Sequence, residues 1–227
     1  YTIAPALIPN LPFDPLKDLA PLTQMTGSSN ILVITPNLPF RTLGEYLAHV
    51  KANPGKLNYG TTGQGSSIHM GGALLHYLAK ADVTYIHYKV GSQRTADFLA
   101  GRLDVTLASP RNYMEYVKQG KARGLGITST QRMDSLPDMP TIAEQGVPGY
   151  EYSTWTGVFA PGRTPPAIMG QLHKWFVDAG KDPALVKKLE AAEQDIITST
   201  PAVFAKRIAT EISRWREVVK AANITAD

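Results

Sequence analysis

Cysteine is absent from this 227-residue chain, which excludes disulfides, thiolate metal sites and cysteine nucleophiles, and is compatible with an exported protein that avoids accidental oxidation. No apolar run approaches the roughly 18 residues of a membrane span; the longest, Ile31-Leu32-Val33-Ile34, is strand-sized. Charge of neither sign is concentrated: Lys and Arg number 23 and Asp and Glu 19, and the net +4 is scattered along the chain. Nucleic-acid binding needs a clustered basic face, so no nucleic-acid partner is expected. The five histidines, His49, His69, His76, His87 and His173, form neither HExxH nor an HxH cluster, so no metal is expected and each is read as a half-buried or surface imidazole. The GxSxG elbow, the P-loop and the GxGxxG fingerprint are missing too, which leaves no expected catalytic residue and no cofactor. The chain opens at Tyr1 without methionine or a basic and apolar leader, so any signal peptide is expected to lie outside it.

What is present is a globular composition, 43% hydrophobic and 19% charged, enough to build real cores. Residues 1–22 read as loop and turn, because Pro5, Pro9, Pro12, Pro15 and Pro21 recur too often for a helix or an interior strand. The β-branched run 30–35 reads as a strand buried on both faces. Thr42 then caps a helix to about Asn53, with Leu43, Tyr46, Leu47 and Val50 on one face. Strand, turn and helix alternate onward through strands at 57–60, 83–88, 103–107 and 124–128 and helices at 67–79, 92–100 and 113–118. That order implies an α/β class with a mixed, mainly parallel sheet flanked by helices. A strand at 155–160 follows, and three helices at 165–180, 183–192 and 201–222 each open on proline, whose missing N–H costs nothing there. Trp175 and Trp215 on those helices read as core residues. Two interleaved lobes are expected, 1–33 with 156–227 and 34–155, with a ligand held between them.

The segment 59–70, Tyr-Gly-Thr-Thr-Gly-Gln-Gly-Ser-Ser-Ile-His-Met, carries the clearest chemistry. Its glycines let backbone approach a ligand, Ser66 or Ser67 can cap, and the N–H groups of the following helix suit an anion. No Lys or Asp follows at nucleotide-motif spacing, so a carboxylate is preferred over a phosphate. An ordinary βα turn with a serine cap is the competing reading of the same residues. Ser66 and His69 lack a third group to orient them as nucleophile and base.

Several stretches in order resemble the Bug, or TctC-type, solute-binding receptors of tripartite tricarboxylate transporters. They are Pro5-Ala6-Leu7 through Asp18, 52–60, the glycine turn to His69, Tyr88-Lys89 with Gly91, 136–141, 155–161 and Ser213-Arg214-Trp215. The resemblance implies a periplasmic, two-lobed type II binding protein that acts as a monomer, takes small carboxylates and hands them to membrane permease subunits. It also implies that a strand, glycine-rich loop and helix precede Tyr1 in relatives, so that the first lobe is incomplete here. Carried over by position, the second carboxylate-binding turn of the family falls on Thr61, Thr62, Gly63, Gly65, Ser66 and Ser67, and its other cleft segment on 108–112. Relatives that bind amino acids carry an Asp there. This chain has Ala108 and Ser109 followed by Arg111, which offers a bidentate donor or lies solvated at a helix start. Tyr88 and Trp155 either line the cleft or pack in the core. A hydrolase or a sensor domain using the same cleft is the alternative function.

Overall fold

A computed structural model describes residues 1–225. Its elements run α1 (Ala4–Leu7), β1 (Leu19–Ser29), β2 (Ile31–Ile34), α2 (Leu43–Ala52), β3 (Asn58–Thr61), α3 (Ser67–Ala79), β4 (Thr84–His87), α4 (Gly91–Leu99) and β5 (Val105–Ala108). After these come α5 (Pro110–Lys118), β6 (Arg123–Ile127), β7 (Ser153–Pro161), α6 (Pro166–Ala179), α7 (Pro183–Glu190), β8 (Asp195–Ile196) and α8 (Pro201–Ala221). The fold is α/β, and the chain divides into two units. One comprises Tyr1–Ser28 with the chain from Thr154 onward; the other is Ser29–Ser153.

The Ser29–Ser153 unit is built on a five-stranded sheet in the order β4-β3-β5-β2-β6. Strand β3 runs parallel to β4 and β5, whereas β2 is antiparallel to both β5 and β6. The run 31–34 is buried at all four positions, as its continuous apolar pattern requires. Each such side chain contributes about 1.5–3 kcal/mol of burial. Helix α2 begins at a full capping box, in which Thr42 Oγ1 accepts from the Glu45 N–H and Glu45 returns the bond to the Thr42 N–H. Its apolar face of Leu43, Tyr46, Leu47 and Val50 is buried. In this unit Ile31, Val33, Phe98, Leu103, Tyr113 and Ile127 belong to one buried cluster.

In the other unit a three-stranded sheet has the order β7-β1-β8, with β1 and β8 antiparallel through Thr26 and Gly27. Phe204, Ile208 and Ile212 of α8 form its core cluster, with Trp155 and Phe159 packed against it. Prolines open α6, α7 and α8 as expected.

Four expectations are corrected. Residues 1–22 are not all loop: Pro5 sits in the first turn of α1, and β1 starts at Leu19 and runs through Pro21. Proline is tolerated there because β8 pairs with β1 only at Thr26 and Gly27, away from Pro21. The crossing expected after residue 33 falls between Ser28 and Ser29, since 31–34 is an interior strand of the second sheet. The return falls between Ser153 and Thr154 rather than after 155. Trp215 is buried, but Trp175 is 57% exposed on α6, a helix with no buried residue.

Candidate functional site

Three of the expected site segments follow three neighbouring strands that run in one direction. The turn 61–67 follows β3, Tyr88 follows β4, and Ser109 and Arg111 follow β5. All three therefore lie at the carboxyl edge of the sheet within one unit, where open α/β sheets hold their ligands.

The turn is tied down from inside. Thr61 is fully buried, and its hydroxyl lies 2.7 Å from His87 Nδ1 while accepting the Gly63 N–H at 3.2 Å. Gly63 and Gly65 have φ of 121° and 68°, values that favour glycine. The Gly65 N–H donates to His69 Nδ1 at 2.9 Å, and Ser66 Oγ accepts the His69 N–H at 3.3 Å as the helix cap. Ser66 N–H donates to the Gly63 carbonyl at 3.2 Å. These bonds use up the amides of Gly63, Gly65 and Ser66 and choose Ser66 over Ser67 as the cap. The next two amides, Ser67 and Ile68, meet no acceptor among the described residues. They are the orphan donors of the helix, at its positive end. The Ser66 hydroxyl and the His69 ring are each engaged with backbone, so they do not form the pair a nucleophile and base would need.

Beneath the turn lies a set of groups that sequence reading passed over. His69 and His76 are buried, 3% and 4% exposed, which corrects the expectation of half-buried or surface imidazoles. His69 packs on His87 and Tyr85 with ring centroids 4.9 and 4.6 Å apart. His76 lies 2.8 Å from the hydroxyls of both Tyr46 and Tyr85. The Tyr59 hydroxyl donates to the Ile68 carbonyl at 3.1 Å and accepts the Leu107 N–H at 3.2 Å, linking α3 to β5. Because His69 Nδ1 accepts a hydrogen bond, the ring is the neutral Nε2–H tautomer. The i to i+4 spacing of Gly65 and His69 was the signal that could have pointed to this brace.

Burial, with a smaller push from His87, lowers His69 to about 4, and burial lowers His76 to about 3 against an opposing bond from Gly72. Both lie below the ordinary 6.5, so the unfolded chain binds more protons once pH drops through that value, and folding weakens as pH falls toward 4. The urea midpoint is expected to fall between pH 7 and pH 5.5, above the range where carboxylates titrate. His76→Gln should flatten that slope; a wild-type midpoint that does not move over this interval contradicts the assignment.

The remaining expected site residues are placed as follows. Thr62 is exposed at the tip of the turn, and Ser67 is half-buried. Ser109 is the residue before α5, with no side-chain cap bond, and Arg111 is exposed on the first turn of that helix. Tyr88 donates its hydroxyl to Asp97 at 2.7 Å, and burial together with that carboxylate pushes the phenol up to about 12. Its ring packs against the core cluster. Trp155 belongs to the other unit, where its N–H donates to Glu211 at 3.0 Å, its ring meets Phe204 edge-on and Arg207 stacks 5.9 Å above it. Among the described residues no group of three His, Asp or Glu side chains could hold a metal ion.

The chain matches the tripartite tricarboxylate transporter family receptors, TctC, over residues 1–224. It belongs to that family. A Pseudomonas sp. (strain P51) UPF0065 protein from the tcbD-tcbE intergenic region is 32% identical over 212 residues, covering 93% of this chain and 63% of the relative. The chain thus spans less than two thirds of that relative's length. MatC from Rhodopseudomonas palustris, solved with bound malate, superposes with a TM-score of 0.75 at 29% identity, over 96% of this chain and 75% of MatC. An R. palustris protein solved with adipate gives 0.74 at 28% identity, over 94% of this chain and 71% of its own. The fold is that of the TctC periplasmic binding proteins.

Proposed function

We propose that this TctC-family chain is a periplasmic receptor that binds small organic carboxylates and delivers them to the permease subunits of a tripartite transporter. The observation that carries the reading is the turn 61–67, whose inner amides are bonded internally while Ser67 and Ile68 present two N–H groups at the positive end of α3. Two donors at a helix start match the two oxygens of one carboxylate. Malate and adipate, bound by two similar proteins, supply the ligand class. Thr62, Ser67, Ser109 and Arg111 complete the binding edge of this unit, and the receptor performs no chemistry on its ligand.

The reading of selectivity rests on Ala108, a buried residue at the position where the family resemblance puts the acid that answers an ammonium. Burying an ammonium without a counter-charge is costly, so plain diacids are expected to bind better than amino acids. A melting-temperature screen tests this directly, because a ligand at a hundred times its Kd adds about 2.7 kcal/mol of stability. Malate or adipate should raise the midpoint by several degrees and leave the mixture chemically unchanged. No shift with any diacid, or consumption of the acid, overturns the reading.

A further inference from the structure

Arg94, on α4, is 7% exposed, yet no carboxylate pairs with it among the described residues. Its Nη1 donates to two neutral acceptors on β5, Thr106 Oγ1 at 3.0 Å and the Leu107 carbonyl at 3.1 Å. Its Nε is enclosed and meets no acceptor among the described residues. The nearby acids are engaged elsewhere: Asp97 with Arg102 and Tyr88, Asp104 with the Asn58 N–H. A buried cation whose only partners are neutral is expensive to keep, and a fold gains nothing from it unless an anion is to be met.

The position of that charge is set by the strands. The Thr106 hydroxyl that accepts from Arg94 itself donates to the Gly60 carbonyl at 2.7 Å, and a Cβ on Gly60 would lie 3.2 Å from Arg94 Cγ. Gly60 immediately precedes the turn 61–67, and Leu107 immediately precedes Ala108 and the start of α5. The guanidinium therefore sits against β3 and β5 one residue short of their carboxyl ends, on the sheet face opposite α3, whose first amides are those of Ser67 and Ile68. A Cβ at position 60 would press on this side chain and on Leu103, whose Cδ1 it would approach to 2.5 Å, so the glycine is what admits the arginine.

We propose that Arg94 is the formal positive charge that pairs the ligand carboxylate at the turn, and that it makes the site select anions without an ammonium. This rests on the carboxylate-receptor reading above. Backbone amides supply direction but only partial charge; a guanidinium supplies a whole charge in a fork that fits a carboxylate. The assignment takes the specificity role expected of Arg111 and gives it to a residue held in place by the sheet.

The test titrates malate and aspartate by calorimetry into the wild type, Arg94→Gln and Arg94→Lys, and records the melting temperature of each without ligand. Arg94→Gln is expected to weaken malate at least tenfold, to collapse the preference for malate over aspartate, and to melt no lower than the wild type. Arg94→Lys, which keeps the charge without the fork, should restore part of the malate affinity. If Arg94→Gln folds and binds malate within twofold of the wild type, Arg94 is a packing residue and the proposal fails. Should Arg94→Gln not fold, Arg94→Lys decides: a three- to tenfold loss supports the pairing, and undiminished affinity overturns it. A wild type that binds neither malate nor adipate sinks the receptor reading and this one together, whereas a binding wild type with indifferent variants removes only the role of Arg94.

Discussion

Ser67→Pro is expected to weaken malate binding by one to two orders of magnitude while leaving the fold as stable as before. Ser67 is the first residue of α3, where proline fits and its missing N–H breaks no helical bond. The preceding Ser66 has φ −63° and ψ 162°, the extended conformation that a residue before proline prefers. The change removes the Ser67 N–H together with its hydroxyl; a hydrogen bond to a charged group is worth about 1.5–3 kcal/mol, so loss of the amide by itself is ten- to a hundredfold in affinity. The Ser66 cap to His69 and the Gly65 bond to the His69 ring do not involve the Ser67 N–H, so the turn keeps its shape. Calorimetry with malate and urea unfolding of the same sample check both halves. Unaltered affinity with an unaltered midpoint would mean that the Ser67 amide does not face the ligand.

Gly72→Ala should cost about 2–3 kcal/mol of stability, near the upper end for a small-to-large change in a packed core. A Cβ at position 72 would lie 2.6 Å from Tyr59 Oη and 2.9 Å from its Cε1. The ring has nowhere to go: Tyr59 is fully buried, packs edge-on against His76 and Tyr85, and holds the Ile68 carbonyl and the Leu107 N–H through its hydroxyl. Displacing it also loosens the start of α3, so binding should weaken along with folding. Urea unfolding reads the first effect; a loss below about 0.5 kcal/mol, the level of an ordinary surface change, would show that the Tyr59 hydroxyl is not a fixed brace.

The parts of this molecule that could be read from its amino acids are those decided by local chemistry. Thr42 and its apolar i, i+3, i+4, i+7 partners define α2, and the glycines and serines at 63–67 define a capped turn, because each rule needs only neighbours in the chain. The apolar run at 31–34 was legible as a buried strand for the same reason, but its antiparallel direction was not, since helix crossovers suggest parallel pairing and direction depends on which strand it meets in space. β1 was hidden by Pro21, which is harmless only because β8 pairs further along. Arg94 was the hardest to see. In the chain it is one basic residue on a short helix, and nothing nearby shows that it is buried; its acceptors, Thr106 and Leu107, come within reach only through the register of β3 and β5. His69 was singled out for catalysis and set aside, whereas its structural role is to accept the Gly65 N–H four residues before it, a spacing that catalytic patterns do not use. The site was thus legible as a loop and illegible as a charge.

The central claim, that a carboxylate is held at the start of α3, is tested most directly by following backbone amide resonances while the isotopically labelled protein is titrated with malate. The account predicts that the Ser67 and Ile68 amides shift furthest downfield and saturate together at one dissociation constant. Saturable binding that leaves the amides of 61–69 unmoved, with its largest shifts elsewhere in the chain, would contradict it.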